Sequence, residues 1–155
     1  MKVFLDSSFF FPFIRVDVKN ISKKDIGNLL RNTNYDILCS ELVYFELSAK
    51  GSKYIVQGIL EMEDLLDGIS FIHNFNKIAK IPIYHPEILI LAQEFRKTHQ
   101  DYIDCIILAS AVKSSEIFIT MDYNLKENIE EHWKDVISKE NPIFVVKTLS
   151  DISKK

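Results

Sequence analysis

An acidic residue follows each of two predicted strands, and a parallel sheet would bring both residues to the edge where ligands bind. Asp6 ends the apolar run Val3–Leu5, and Asp122 ends the apolar run Ile117–Met121. In open parallel sheets, ligands bind just beyond the carboxyl ends of the strands, so both carboxylates are expected at a binding edge. Aspartate also caps helices that follow strands, and for each residue taken alone this structural role stays open.

Glu46 is an acid on a helix face that the sequence predicts to be buried. It shares one stripe of a helix, which begins after Ser40, with Leu42, Phe45 and Ala49. A buried carboxylate without a partner is costly, so a basic side chain or a metal ion should lie beside it. Because no obvious lysine or arginine lies on the same helix face, we favour the metal ion.

Asp104 repeats this pattern on a second helix. The segment Tyr102–Val112 is apolar almost all round, as expected of a buried helix. Asp104 falls in its first turn, where the helix dipole favours an anion. Asp101 could be a further acid on the same side, but we interpret it as the N-cap of this helix.

Carboxylates from four separated parts of the chain favour a hard cation. Magnesium and manganese take oxygen ligands and bind through a few carboxylates, water and substrate phosphate. The predicted ligands are Asp6, Glu46, Asp104 and Asp122. The histidines lack metal-ligand spacing, so zinc is not expected, and we interpret them as surface or capping residues: His73, His85, His99 and His132.

Short apolar runs alternate with helical patterns along the chain. Strands are predicted at Lys2–Asp6, Asp36–Cys39, Glu116–Met121 and Ile143–Val146, with weaker candidates at Ile69–Ile72 and Ile78–Tyr84. Helices are predicted at Lys23–Arg31, Glu41–Lys50, Tyr54–Leu66, Pro86–Thr98, Asp101–Lys113 and Asn124–Trp133. This alternation predicts an α/β fold, a three-layer α/β/α sandwich with a mainly parallel central sheet. A length of 155 residues predicts a single domain, residues 1–155.

Composition excludes several classes of protein. A net charge of −3 and a pI of about 5.8 do not fit a broad basic face for duplex DNA. The glycine-rich motifs of dinucleotide and P-loop nucleotide binding are absent. We find neither a signal peptide nor the ~20 apolar residues that a membrane span requires. Cys39 and Cys105 are predicted to be reduced, buried thiols, and the protein is predicted to be cytoplasmic.

The acidic residues lie in four motifs: DSSFF at Asp6, ELVYFELSAKG around Glu46, DCIILASA from Asp104 and IFITMD ending at Asp122. Their order and spacing resemble the PIN-domain family, including toxin ribonucleases of the VapC type, over about residues 1 to 130. The resemblance implies a Mg²⁺- or Mn²⁺-dependent ribonuclease that hydrolyses phosphodiester bonds of single-stranded RNA. It also implies a toxin role, an antitoxin partner and a homo-oligomer such as a dimer.

The resemblance also implies roles for single residues. Asp6 and Asp104 would be the principal metal ligands, and Glu46 and Asp122 would complete the catalytic pocket through water or a second ion. Supporting hydroxyls are implied at two further positions: Ser8 and Thr120. One or two ions would activate water and stabilise the charge that develops during hydrolysis.

Residues around the acids could contact RNA. The lysines nearest to them in sequence are candidates for a basic rim, although surface lysines are commonly just solvated: Lys50, Lys53 and Lys126. Aromatic residues beside the acids could stack single-stranded bases: Phe9, Phe10 and Tyr123. Phenylalanines such as Phe9 and Phe10 are more often core residues.

Three other functions compete with the nuclease. An aspartate-nucleophile phosphatase would need a second aspartate two residues after Asp6, and the residue there is Ser8. A receiver-like signalling module would show adjacent acids after the first strand and a lysine after the last strand, and neither is found. A catalytically inactive PIN-like scaffold could lose its pocket acids, whereas all four are present.

Overall fold

A parallel sheet forms the middle of the structure. The computed structural model describes residues 1–152. Within them the strands are β1 Lys2–Leu5, β2 Asp36–Ser40, β3 Ile78–Ile81, β4 Ile117–Ile119 and β5 Val145–Lys147. Their order across the sheet is β3-β2-β1-β4-β5, and every pair is parallel.

Helices fill the connections between the strands. In residues 1–152 they are α1 Lys23–Arg31, α2 Leu42–Val56, α3 Met62–Asn74, α4 Pro86–Arg96, α5 Tyr102–Ser114, α6 Tyr123–Asn128, α7 Lys134–Glu140 and α8 Leu149–Ile152. A 3₁₀-helix, Ser7–Ile14, follows β1, and a π-helical turn, Ile129–Trp133, separates α6 from α7. Within this part of the chain, none of the helices is long and apolar enough to cross a membrane.

The sheet separates two hydrophobic clusters. Val3 and Leu5 of β1 join the cluster formed with the 3₁₀-helix, α1, α2 and α3. Phe4, which lies between them in sequence, joins the cluster formed with α4, α5, α6 and α7. Successive side chains of a strand point to opposite faces, so a fully apolar strand such as β1 can bury both faces. The three-layer α/β/α sandwich predicted from the sequence is confirmed.

The chain changes direction across the sheet between β1 and β4. Strands β2 and β3 extend the sheet on one side of β1, whereas β4 and β5 extend it on the other. The backbone N–H of Asp6 donates to the carbonyl of Ile119 at 3.0 Å, so the two strand ends lie side by side. Such a switch point opens a crevice at the carboxyl ends of the strands. The segments that follow β1 and β4 therefore line this crevice.

Two predicted elements are wrong. Ile69–Ile72 lies inside α3, not in a strand, because Leu65, Gly68 and Ile72 have helical spacing and form the buried face of that helix. The helix predicted at Tyr54–Leu66 is two helices, α2 and α3. The helix is interrupted at Gly58, whose φ of +70° suits glycine. The end of α2 there has the backbone hydrogen bonds of a Schellman motif.

The 3₁₀-helix was not predicted from the sequence. It positions Asp6, one of the acids of the candidate site. Its phenylalanines Phe9 and Phe10 are fully buried, which settles their place in the core. Arg15 ends it in the left-handed conformation, with φ of 60°. Because this helix starts directly after Asp6, the packing of its apolar side chains fixes the direction of the Asp6 carboxylate.

Candidate active site

The four predicted acids line one cleft. It measures about 590 Å³ and opens at the carboxyl ends of β1 and β4. The structure therefore brings together residues that are far apart in sequence: Asp6, Glu46, Asp104 and Asp122. A second cleft of about 540 Å³ lies between the 3₁₀-helix, α1 and α3 and is mostly apolar. None of the four acids lines it, so the chemistry is assigned to the first cleft.

Asp6 is held by hydroxyl groups. Thr120 Oγ1 donates to Asp6 Oδ2 at 2.9 Å, and Ser8 Oγ donates to the same oxygen at 3.1 Å. Both hydroxyls are therefore where the family resemblance implied. Burial raises the pKa of Asp6, and the charge of Asp104 raises it further, while the two hydroxyls oppose the shift. A nearby cation would stabilise the ionised form.

Asp104 lies in the first turn of α5. The N-cap of this helix is Asp101, as predicted, which accepts from the N–H groups of Ile103 and Asp104 at 2.9 and 3.4 Å. The Asp104 side chain instead meets His99, with 3.1 Å between Oδ2 and Nε2. Burial raises the pKa of Asp104, and the hydrogen bond to His99 lowers it. The interpretation of His99 as a surface or capping residue is wrong.

Glu46 faces the cleft from the middle of α2, although the predicted stripe is wrong. The buried face of α2 consists of Val43, Leu47 and Gly51, whereas Phe45 is 58% exposed. Glu46 lies at the border of this face. Its Oε2 atom is buried and has no hydrogen-bond partner within residues 1–152. Burial raises the Glu46 pKa to about 7, and Asp6 and Asp104 add to the shift against a hydrogen bond from Ser7.

Asp122 combines the two roles that the sequence left open. Its side chain caps α6 by accepting from the N–H of Leu125 at 2.9 Å, and it also lines the cleft. Its own N–H donates to Thr120 Oγ1 at 3.0 Å. Because Thr120 also donates to Asp6, one hydroxyl links the strand ends that carry the two aspartates.

The rim of the cleft differs from the sequence prediction. Lys19 is the lysine that lines the cleft, whereas Lys53 and Lys126 do not. Lys50 lies beside the cleft, because its Nζ is 4.3 Å from the ring centre of Phe11, which lines it. Tyr123 lines the cleft and is 64% exposed, so it remains available for base stacking.

Lys19 was missed because no sequence motif marks it. It occupies a tight turn in which the N–H of Ile21 donates to the carbonyl of Val18 at 3.1 Å. Asn20 has φ of 65°, a left-handed conformation that asparagine tolerates. Lys19 is exposed and makes no ion pair or hydrogen bond within the described part of the chain.

The residues of the cleft fit magnesium or manganese. No three His, Cys, Asp or Glu side chains within residues 1–152 are arranged to hold a metal ion by themselves. Magnesium, however, usually keeps several waters and binds through one or two carboxylates together with substrate phosphate. Four of the residues that line the cleft offer carboxylate oxygens. The buried Glu46 Oε2 lacks a partner within residues 1–152, and a cation or its water could supply one.

Comparison with known proteins identifies the family. The PIN domain family model matches residues 3–130. The chain therefore belongs to the PIN domain family, and PIN domains are generally nucleases. No curated protein matches the sequence. A chain in the crystal structure of VapBC2 from Rickettsia felis, bound to a DNA fragment from its promoter, superposes with a TM-score of 0.59.

That likeness covers almost the whole of both chains. It spans 96% of this chain and 98% of the Rickettsia felis chain, at 15% sequence identity. At such low identity it shows the fold alone. The PIN-like fold and the resemblance to PIN-domain proteins inferred from the sequence motifs are thus confirmed.

Proposed function

We propose that the protein is an endoribonuclease that hydrolyses phosphodiester bonds of single-stranded RNA with Mg²⁺ or Mn²⁺. The observation that carries this proposal is that carboxylates from four separate elements line one cleft at the switch point of the sheet. Burial and mutual repulsion raise the pKa values of Asp6, Glu46 and Asp104. Clefts that perturb carboxylates in this way are typical of functional sites.

In this proposal Asp6 and Asp104 are the principal metal ligands. Glu46 and Asp122 contribute further oxygens, directly or through water. A bound divalent ion supplies Lewis-acid chemistry and lowers the pKa of water. The chain itself holds Asp6 through Thr120 and Ser8. No side-chain nucleophile is required.

The rim of the cleft supports single-stranded RNA as substrate. Lys19 has no ion-pair partner within residues 1–152, lines the acidic cleft and is suited to bind a phosphate. Tyr123 offers an exposed ring, and stacking on aromatic rings is a general way to hold unpaired bases. Both side chains line the cleft and are exposed, so a single strand can reach them.

A panel of substrates tests the proposed activity. Purified protein should cleave a single-stranded RNA oligonucleotide in Mn²⁺ or Mg²⁺, and EDTA should abolish the cleavage. Duplex RNA, single-stranded DNA and a phosphomonoester should react much more slowly. Faster hydrolysis of the phosphomonoester would favour a phosphatase, and no reaction with any substrate would favour an inactive scaffold.

Lys19→Ala tests the phosphate contact. The variant should raise KM for RNA with little change in kcat, because the contact binds ground state and transition state alike. The increase should shrink as salt is added, since phosphate contacts are screened. Lys53→Ala, which removes an exposed lysine away from the cleft, is the matched control. Equal effects of the two substitutions would refute a specific role for Lys19.

The biological setting is proposed from the family resemblance. We infer a cytoplasmic toxin, folded as one domain, with an antitoxin partner and a homodimeric form. The fold shared with a chain of the VapBC2 complex is consistent with this role. Induced expression in bacteria should arrest growth, and Asp104→Asn should relieve the arrest. Growth at the normal rate with full RNase activity would contradict the toxin role.

A further inference from the structure

His99 makes contacts with three different parts of the structure. Its Nε2 lies 3.1 Å from Asp104 Oδ2, and its Nδ1 lies 3.4 Å from Asn128 Nδ2. Its ring meets the edge of Trp133 at a centroid distance of 5.7 Å. The His99 side chain is only 16% exposed. It therefore lies in a fixed position between α5 and the segment that follows α6.

The loop that carries His99 is anchored at this residue and at the residue before it. Arg96 Nη1 donates to the His99 carbonyl at 2.7 Å. The indole N–H of Trp133 donates to Thr98 Oγ1 at 2.7 Å. Trp133 also packs against Phe95, with ring centres 4.9 Å apart. The backbone and the ring of His99 are thus held independently of Asp104.

The hydrogen bonds indicate which ring nitrogen carries a proton. With its amide nitrogen 3.4 Å from Nδ1 of His99, Asn128 can donate to this ring nitrogen when Nδ1 carries no proton. The proton of a neutral imidazole then resides on Nε2, which faces the Asp104 carboxylate. This places an N–H donor on Oδ2 and leaves Oδ1 of Asp104 free of that contact.

We propose that His99 is a positioning residue that orients Asp104 for metal binding, with Asn128 setting the tautomer of its ring. The proposal rests on the proposed function, in which Asp104 is a metal ligand. A hydrogen-bond donor on one carboxylate oxygen restricts rotation of the side chain, so the other oxygen is presented in a single direction. Groups that orient metal ligands typically contribute 10–100-fold to metal affinity.

The tautomer can be measured without any metal. Long-range ¹H–¹⁵N correlation spectra of the metal-free protein, at mildly alkaline pH, report which imidazole nitrogens are protonated, and His99→Gln assigns the signal. We expect Nε2 of His99 to be protonated, and we expect Asn128→Ala to weaken this preference. An unprotonated Nε2 in the parent protein would overturn the proposal whatever the enzyme does.

Metal affinity is the second measurement. Titration calorimetry with Mn²⁺ should show a 10–100-fold loss for His99→Phe, which keeps a ring beside Trp133 but has no N–H. His99→Gln can still donate and should remain close to the parent. His132→Gln, at a histidine with 47% side-chain exposure, is the matched control and should have no effect.

The outcomes separate this proposal from the proposed function. Unchanged Mn²⁺ affinity in a folded His99→Phe protein would overturn the positioning role while leaving the nuclease intact. Absence of Mn²⁺ binding in the parent protein would refute the metal site itself, and the ring protonation would still be readable. If His99→Phe fails to fold, His99→Gln and the parent spectrum decide: a 10–100-fold loss of affinity in the glutamine variant would also contradict the proposal.

Discussion

At the level of single residues, the cleft concentrates negative charge on carboxylates of which three, Asp6, Glu46 and Asp104, are partly buried. Burial is the largest cause of the raised pKa values of Asp6, Glu46 and Asp104. The chain compensates each acid differently. Asp6 has three hydroxyl donors, from Ser7, Ser8 and Thr120. Asp104 has one imidazole, and Glu46 Oε2 has no partner within residues 1–152. Glu46 is therefore the acid that gains most from a cation.

Asp104→Asn tests the catalytic role of this acid. The asparagine oxygen can still accept from His99, and Asp101 remains the helix cap, so folding should survive. Without metal, stability should hold or rise as repulsion within the cleft falls. RNA cleavage should fall by several orders of magnitude, since metal-based stabilisation is worth several kcal/mol and each ~1.4 kcal/mol is tenfold in rate.

Urea unfolding and single-turnover cleavage of an RNA oligonucleotide measure these two effects separately. A folded Asp104→Asn protein that cuts RNA at the parent rate would rule out the mechanism. A loss of cleavage that matches a loss of stability would mean that the carboxylate is only structural.

Glu46 makes the stability of the metal-free protein depend on pH. Its pKa rises from 4.5 to about 7 on folding, so its contribution to stability is fully present below pH 4.5 and is lost as pH rises through 7. Glu46→Gln cannot ionise and should remove this loss. Thermal unfolding in EDTA, followed from pH 4.5 to about 7, should show a smaller decline for the variant. Identical declines in both proteins would contradict the pKa shift.

At the scale of the elements, helix starts determine where three of the four acids lie. Asp6 precedes the 3₁₀-helix, Asp104 lies in the first turn of α5, and Asp122 caps α6. Glu46 is the exception, because it projects from the middle of α2. The position of the 3₁₀-helix against α2 and α3 therefore decides how the Asp6 and Glu46 carboxylates approach each other.

Gly68→Ala tests that packing. A Cβ at Gly68 would lie 2.5 Å from Ile14 Cγ2 and 2.6 Å from the carbonyl oxygen of Phe13, so α3 and the 3₁₀-helix would have to move apart. We expect a loss of about 1–3 kcal/mol in the free energy of unfolding, as for other overpacked sites. Urea denaturation measures it.

Gly27→Ala is the matched control, since Gly27 also lies within a helix. A Cβ there would meet only the flexible end of Arg31, at 3.2 Å. Alanine in this position should stabilise the protein by about 0.5–1 kcal/mol through its helix preference. A neutral or stabilising Gly68→Ala would show that the tight approach of α3 does not constrain the 3₁₀-helix.

At the scale of the whole molecule, the cleft is a charged crevice in a fold that is otherwise stabilised by two apolar clusters on either side of the sheet. The net charge of −3 and the four acids of the cleft work against an anionic substrate. A divalent ion would offset two of these negative charges, and Lys19 would add a positive charge at the rim. Metal binding, substrate binding and stability are therefore expected to be coupled.

Mn²⁺ should raise the melting temperature, because it binds only the assembled cleft. A ligand at 100 times its Kd stabilises the folded state by ~2.7 kcal/mol. Differential scanning fluorimetry with millimolar Mn²⁺ measures this increase, and Asp104→Asn should reduce it. If the melting curve of the parent protein does not respond to Mn²⁺, the metal hypothesis loses its main support.

The fold class and three of the acidic positions could be predicted from local sequence patterns. Apolar runs that end in Asp6 and Asp122, and an apolar helix that starts near Asp104, are local patterns set by burial and by helix capping. Such patterns can be recognised in the sequence because the direction of each side chain follows the period of the strand or the helix. They predicted the parallel sheet and its helices without any knowledge of contacts.

The contacts between the side chains of the site depend on how distant parts of the chain pack together, and local patterns do not predict them. Thr120 donates to Asp6, which is 114 residues away in sequence. Asn128 contacts His99, which is 29 residues away. The turn that carries Lys19 is positioned by packing and not by a motif. Glu46 was assigned to the right cleft for a partly wrong reason, since the neighbours that decide which face of α2 is buried belong to other elements. These contacts depend on how the helices pack against the sheet, and the local periodicity of the sequence carries no information about that packing.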